Sequence, residues 1–180
     1  NFLLKLLVTG ANGFTGQHLC SRAAKAGYEV VKLKADLLDR EALQEEVFLV
    51  QPDLVAHLAA ISFVGSSDKI SFYAVNVIGT TNLLDAILDL SKKPSKVLLA
   101  SSANVYGNCD ISIIDESMVP NPINHYAASK FAMEKMALTY SDDIDLVITR
   151  PFNYTGHGQD INFVIPKLVD CFLNKKLTIS

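Results

Sequence analysis

Val8-Thr9-Gly10-Ala11-Asn12-Gly13-Phe14-Thr15-Gly16 is the stretch on which the reading of this chain turns. The run before it, Leu3-Leu4-Lys5-Leu6-Leu7-Val8, has the length and composition of a buried strand. The run after it, Gln17-His18-Leu19-Cys20-Ser21-Arg22-Ala23-Ala24-Lys25-Ala26, reads as a helix. Strand, glycine-rich turn and helix start, in that order, build a cradle for phosphate. Glycines let the backbone turn tightly and let a pyrophosphate approach without meeting a Cβ. The free N–H groups and positive dipole end of the helix then face the anion. The spacing is G-x-x-G-x-x-G, one residue longer at the front than the G-x-G-x-x-G fingerprint of dinucleotide-binding turns. Alone, the motif also fits a plain glycine-rich turn. Its weight comes from its place at the head of an alternating pattern.

That pattern continues along the chain. Gly27 suits a helix C-cap. Tyr28 to Leu33 reads as a second strand, and Asp39 as the N-cap of a helix from Arg40 to Val50, ended by Pro52. Asp53 to Ala60 is a third strand running into a small-residue turn. A loop from Ile61 to Lys69 leads to a long helix from Phe72 to Leu90, and Pro94 follows. Lys96 to Ser101 is a fourth strand. A polar loop with Pro120 and Pro122 precedes a helix from His125 to Tyr140. Asp145 to Arg150 is a fifth strand, stopped by Pro151, and Phe163 to Leu173 is one more helix. Most strands are continuously apolar, the mark of a parallel sheet covered on both faces. Right-handed crossovers then give a doubly wound α/β fold, with ligands outside the carboxyl ends of the strands.

Composition narrows the possibilities. The chain has 180 residues, 49% of them hydrophobic, enough for one domain with a full core. Its formal net charge of -3 gives no basic excess to neutralise phosphates, which argues against a nucleic-acid partner. No apolar run reaches membrane-spanning length, and the short N-terminal run reads as a strand and not as a signal peptide. Cys20, Cys109 and Cys171 are far apart and form no metal-type pair, so reduced thiols in a cytoplasmic protein are the simplest reading. No metal site is expected. His57, His125 and His157 lack ligand spacing and are read as structural.

Two stretches carry candidate chemistry. Tyr126 and Lys130 stand at i and i+4 on an expected helix, so both leave the same face. A phenol is a poor acid–base group at neutral pH, and a nearby ammonium lowers its pKa. Such a pair suits proton transfer to or from a hydroxyl or carbonyl. A surface tyrosine beside a solvated lysine fits the same spacing. Ser101-Ser102-Ala103-Asn104-Val105-Tyr106-Gly107 ends the fourth strand with hydroxyls, where a serine can hold a substrate oxygen for the tyrosine. Ordinary turn chemistry is the alternative there.

These residues together resemble the extended short-chain dehydrogenase/reductase family of nucleotide-sugar epimerases, dehydratases and reductases. The likeness runs in order through Thr9-Gly10-Ala11-Asn12-Gly13-Phe14-Thr15-Gly16, His57-Leu58-Ala59-Ala60 and Asn76-Val77-Ile78-Gly79-Thr80. It continues through Ser101 to Gly107, Asp115-Glu116 with Pro120 and Pro122, and Tyr126-Ala127-Ala128-Ser129-Lys130. It closes on Arg150-Pro151-Phe152-Asn153-Tyr154-Thr155-Gly156. The resemblance implies a Rossmann-like fold and a catalytic set of Ser102, Tyr126 and Lys130. Ser102 is preferred to Ser101 because it stands four before Tyr106 in the Ser/Thr-x-x-Val-Tyr-Gly pattern. It further implies cofactor contacts from Gly10, Asn12, Gly13, Phe14, Thr15 and Gly16, and from Asp36 and Leu37 at the adenine. Leu58, Ala59 and Ala60 would pass the pyrophosphate and ribose, Ala100 and Pro151 would lie near the nicotinamide, and Lys130 would bond its ribose. Asn153 matches a substrate-contacting asparagine, and Lys167 either reaches a sugar-nucleotide pyrophosphate or stands as a solvated helix lysine. Asn76 is read as a structural bridge between strand ends.

Finer expectations follow from the same resemblance. Aligning Tyr28 to Leu33 with the second strand puts Lys34 where members that prefer NAD carry an acid, which favours NADP(H) over NAD(H). Asp36, near the spacing of a ribose-binding acid, is the competing reading. The dehydratases carry an acidic residue within the serine stretch. Here Ala103 and Asn104 are neutral, which leaves simple hydride delivery. Arg150 to Gln159 followed by Phe163-Val164-Ile165-Pro166 resembles most the GDP-4-dehydro-6-deoxy-mannose reductases and their dehydratase relatives. The expected activity is NADP-dependent reduction of a nucleotide-linked 4-keto deoxy sugar. The rivals are a 4-epimerase or dehydratase with tightly bound NAD, and a non-catalytic dinucleotide sensor. Residues 1–160 are expected to form the dinucleotide-binding domain. Residues 161–180, ending in Lys175-Lys176-Leu177-Thr178-Ile179-Ser180, are expected to begin a substrate lobe largely absent from this chain. A homodimer through the helices at Phe72 to Leu90 and His125 to Tyr140 is expected.

Overall fold

Side-chain alternation along β1 (Lys5–Thr9) creates two core layers. Leu7 points to one face of the sheet, and Leu6 and Val8 point to the other. The computed structural model describes residues 3–61, 68–109 and 113–174. Among these, five strands form one parallel sheet in the order β2-β1-β3-β4-β5, with β2 at Glu29–Lys32, β3 at Leu54–His57, β4 at Lys96–Ala100 and β5 at Leu146–Thr149. The chain moves outward from β1 to β2, then returns to place β3 on the other side of β1. That reversal opens a crevice between the carboxyl ends of β1 and β3, where ligands of doubly wound sheets bind.

Three helices cover the Leu7 face. These are α2 (Arg40–Val50), α4 (Thr80–Leu88) and α5 (His125–Ala137). They bring Leu43 and Val47, Leu83, Leu84 and Ile87, and Met133 and Ala137 into one buried cluster. Helix α1 (Phe14–Lys25) covers Leu6 and Val8 with Cys20 and Ala23. The Asp39 side chain caps α2 by accepting from the Ala42 N–H at 3.1 Å, and Gly27 follows α1 with φ of 89°. Helix α6 (Val164–Leu173) is amphipathic and buries none of its residues. No helix among the described residues is long and apolar enough to cross a membrane.

The structure departs most from the sequence reading in two helices, and the helix expected to reach Tyr140 ends at Ala137 in a 3-10 turn, Leu138–Tyr140. Helix α1 starts at Phe14, before the expected Gln17, so Gly16 lies inside its first turn. The helix expected from Phe72 to Leu90 is composite. It comprises α3 (Lys69–Tyr73), a π-helical turn (Ala74–Gly79) and α4. Asp68 caps its start by accepting from the amides of Ile70 and Ser71. The wide turn brings Gly79 so close to Leu37 that a Cβ would stand 2.9 Å from the leucine Cβ. It also directs Asn76 into the interior, where the side chain is anchored. The expected loop from Ile61 to Lys69 falls largely outside the described residues, as does the segment Lys175 to Ser180.

Leu83 is fully buried where α4 meets α2 and α5. Leu83→Ala is expected to lower the unfolding free energy by about 2–5 kcal/mol in urea denaturation, through lost burial plus a residual cavity.

Candidate active site

The glycine turn is built by close approach. Gly10 has φ of 66°, and a Cβ on it would stand 2.6 Å from the Ala59 nitrogen. A Cβ on Gly16 would stand 2.2 Å from the Gly10 carbonyl oxygen. These two glycines therefore pack the turn against β3 and against α1. Gly13 differs: its Cβ would meet one atom at 3.4 Å and otherwise open space. Gly13 caps α1 without a side-chain acceptor, and the first turn holds no acidic residue. The cradle therefore has the room and the sign of potential that a dinucleotide pyrophosphate requires.

The ends of β1, β3, β4 and β5 converge on α5. Ser102 follows β4, its hydroxyl accepts from the Asn104 N–H at 3.2 Å, and it stands near enough to the Tyr126 phenol to influence its titration. Ser101 is buried one residue earlier, and its hydroxyl finds no partner among the described residues. Of the two serines, Ser102 is the one that acts on the Tyr126 phenol. Tyr126 stands in the first turn of α5 with the Phe72 ring edge-on at 6.2 Å. Asn124 sets the start of that helix by accepting from the Ala127 N–H at 2.8 Å. One turn on, Lys130 is only 4% exposed and donates from Nζ to the Ala100 carbonyl at 2.8 Å.

The electrostatics correct one expectation. Lys130 was expected to lower the Tyr126 phenol. Instead burial pushes that phenol above its usual value, a hydrogen bond from Ser102 pulls it back, and the neighbouring Tyr154 adds to the rise. The physical reason is that burial strips the hydration that would stabilise the phenolate, while the Lys130 ammonium bonds the Ala100 carbonyl. Lys130 itself is brought down to about 8 by burial, opposed by the charge of Glu134.

Glu134 did not stand out in the sequence. It is buried one turn beyond Lys130 and accepts from Arg150 through both oxygens, at 2.9 Å from Nε and 2.7 Å from Nη2. Arg150 also donates to the Tyr106 hydroxyl at 2.9 Å. This forked pair fastens the end of β5 to α5. The i to i+4 spacing of Lys130 and Glu134 was the available signal.

Beyond Arg150 the chain crosses back over the glycine turn. The Tyr154 hydroxyl meets the Thr15 hydroxyl at 2.5 Å, and its ring stacks on Phe14. His18 Nε2 donates to the His157 carbonyl at 2.9 Å. Phe14, Thr15 and Tyr154 thus form a clasp that was not foreseen. Pro151 accepts at its carbonyl from Ala103, and Asn153 is exposed on this crossing. Lys167 lies in the first turn of α6, and neither its side chain nor that of Asn153 bonds the Ser102–Tyr126–Lys130 cluster.

At the far end of the crevice, the Lys34 and Ala35 amides donate to the Glu46 carboxylate. The Lys34 side chain is exposed, and Asp36 accepts from the Leu38 N–H at 2.9 Å. Leu37 is buried beside Gly79, and its carbonyl accepts from Asn82. Asn12 is exposed, Ala60 is half-buried, and Leu58 and Ala59 donate their amides to Thr9. Asn76, expected to bridge strand ends, bonds Ile61 beyond β3 and Ser129 within α5. His57 is fully enclosed. Burial pushes its imidazole from 6.5 down to about 3, and the charge of Lys130 acts the same way.

Two predictions follow from this geometry. Glu134→Ala strands Arg150 and is expected to cost about 3–5 kcal/mol, with Glu134→Gln costing less, as ranked by urea denaturation. His57 binds its proton more weakly folded than unfolded, so its contribution is fully present above pH 6.5 and is lost as pH falls toward 3. Stability is therefore expected to fall through that window with a slope of at most about 1.4 kcal/mol per pH unit from this group, and His57→Asn to remove that component of the slope.

Comparison with known proteins places this geometry among relatives. Residues 6–180 match the model described as the NAD dependent epimerase/dehydratase family. The chain is 40% identical over 182 residues to a GDP-6-deoxy-D-talose 4-dehydrogenase of Aggregatibacter actinomycetemcomitans, covering 98% of this chain and 62% of that protein. It is 36% identical over 185 residues to a UDP-glucose 4-epimerase of Mycoplasma genitalium, covering 95% of this chain and 54% of that protein. It superposes with a TM-score of 0.85 and 31% identity on RMD from Pseudomonas aeruginosa complexed with NADPH, covering 98% of this chain and 62% of that one. The chain thus spans a little over half of the length of the relatives it matches.

Proposed function

This chain belongs to the NAD dependent epimerase/dehydratase family, and from that premise we propose that it reduces the 4-keto group of a nucleotide-linked 6-deoxy sugar with NADPH. One observation carries the proposal: Lys130 is anchored by the Ala100 carbonyl at the carboxyl end of β4, two residues before Ser102, with Tyr126 one helical turn away on the same helix. A nicotinamide dinucleotide, when bound along the glycine turn, supplies the hydride. Ser102 donates to the carbonyl oxygen and holds it beside the phenol. Tyr126 gives its proton to that oxygen as the carbon is reduced, so the ketone becomes a secondary alcohol and the phenolate is later reprotonated from solvent. Lys130 has three donors; one holds Ala100, and the others are assigned to the ribose.

The dinucleotide contacts assigned to Gly10, Asn12, Gly13, Phe14, Thr15, Gly16, Leu37, Leu58, Ala59, Ala60, Ala100 and Pro151 belong to the same proposal. Lys34 is assigned to a 2′-phosphate, because its exposed ammonium can reach an anion there. Asn153 and Lys167 are assigned to the sugar nucleotide. Residues 1–160 are assigned to dinucleotide binding and residues 161–180 to the start of a substrate region. The relative named a GDP-6-deoxy-D-talose 4-dehydrogenase supports a GDP-linked sugar. A cytoplasmic homodimer fits the three free cysteines and the exposed Ile78 and Leu138 along the expected dimer helices.

A second reading is a 4-epimerase, favoured by the relative named a UDP-glucose 4-epimerase and by the Asp36 carboxylate near the crevice. Such an enzyme would retain NAD through purification and show no net cofactor oxidation. The reductase reading expects NADPH oxidation with GDP-linked 4-keto-6-deoxy hexoses and little with NADH. Tyr126→Phe is expected to lower turnover by about 10²- to 10⁴-fold, with the NADPH dissociation constant within about threefold of the parent. Unchanged turnover in that variant would refute the assignment of Tyr126.

A further inference from the structure

A chain of buried polar groups runs beneath the site, and its proton directions follow from the donors available. The Thr80 hydroxyl lies 2.8 Å from the Asn76 carbonyl, which can only accept, so its one proton points there. Thr80 Oγ1 also lies 2.9 Å from His57 Nε2, so that ring nitrogen must carry the hydrogen. The ring is enclosed and neutral, which leaves Nδ1 bare to accept from Thr9 Oγ1 at 2.6 Å. The same Thr9 oxygen accepts the amides of Leu58 at 3.2 Å and Ala59 at 3.1 Å. On the other side, the Ile61 N–H donates to Asn76 Oδ1 at 3.1 Å and so fixes the amide orientation. Asn76 Nδ2 then donates to Ser129 Oγ at 3.0 Å, and Ser129 donates to the Tyr126 carbonyl at 2.8 Å.

We infer that His57 is a positioning residue, present as the neutral Nε2–H tautomer, that couples the backbone of the dinucleotide cradle to the helix carrying Tyr126 and Lys130. At one end of the chain are Thr9 and the amides of Leu58 and Ala59, beside Gly10. At the other end is the carbonyl of Tyr126 itself. Nε2–H is the tautomer that matches every donor to an acceptor. An imidazolium would present a third N–H to Thr9 Oγ1 and deprive the Thr9 proton of its acceptor. The groups that meet the ring are uncharged Thr9 from β1 and Thr80 from α4, and the charge that acts on it is Lys130 from α5, which opposes a second positive charge. Thr9 and Ser129 stand on different elements and share no hydrogen bond, and the chain of polar groups joins them.

The coupling rests on the proposed dinucleotide site; the tautomer does not. Nitrogen-15 spectra of the histidine-labelled unliganded protein are expected to show His57 protonated at Nε2 alone from pH 7 to pH 5. A ring protonated at Nδ1, or doubly protonated at pH 6, would overturn the inference. The intact enzyme then carries a double-substitution cycle read as NADPH affinity. Thr9→Val and Ser129→Ala are each expected to weaken binding, and the double variant to fall short of the product of the two effects by about threefold or more. Thr9→Ser, which keeps the hydroxyl, is expected to bind as the parent does. A purely architectural role would lower the melting temperature and leave the two effects multiplicative, and that result overturns the coupling while the dinucleotide reading stands. Failure of the parent to bind NADPH or NADH overturns the dinucleotide reading together with the coupling.

Discussion

The ammonium of Lys130 is enclosed at the carboxyl end of the sheet, and much of the site follows from that one buried charge. An unpaired charge in such a place costs several kcal/mol, so its surroundings must be polar and directed. The Ala100 carbonyl accepts from it at the last residue of β4, which fixes α5 against the sheet. Glu134 lowers the electrostatic penalty from one turn further along. Glu134 in turn needs Arg150, and Arg150 carries the chain from β5 toward the crossing above the glycine turn. The same positive charge helps to keep His57 neutral. Position, protonation and loop path are consequences of a single buried ammonium.

Close backbone contact is the second constraint, and it acts on the other wall of the crevice. Gly10 and Gly16 are glycines because Ala59 and the Gly10 carbonyl occupy the space of their missing side chains. Gly13 is a glycine beside open space. One motif therefore divides its labour: two members bring β1, β3 and α1 together, and the third leaves room above them. The Phe14–Tyr154 stack and the Thr15–Tyr154 bond then lay the crossing over that room.

Much of this was legible from local pattern. The five strands follow from short apolar runs punctuated by Gly, Pro and Asp, and helix α2 begins at its Asp39 cap and ends before Pro52. Other features were hidden because their cause is not local. The π-helical turn at Ala74–Gly79 holds one polar side chain, Asn76, among apolar ones, and nothing within it marks a change of pitch. Its widening accompanies partners elsewhere: Leu37 at Gly79, and Ile61 and Ser129 at Asn76. The Tyr126 phenol shifts against the direction its spacing suggests for the same reason. Spacing puts a lysine beside the tyrosine, but burial and the Ala100 carbonyl decide where its ammonium points.

The amino-acid order by itself determined the succession of elements, the glycine turn at the head of the first helix, and the shared face of Tyr126 and Lys130. Each of these is written within a few residues, in periodicity, capping and backbone freedom. Only the tertiary structure decided that Glu134 takes Arg150, that Tyr154 reaches back to Thr15, and that Thr9, His57, Thr80, Asn76 and Ser129 stand in one hydrogen-bonded line. A buried polar group bonds whatever the strand order brings within 3 Å or so of it, and that order is a property of the assembled sheet, which no short stretch contains.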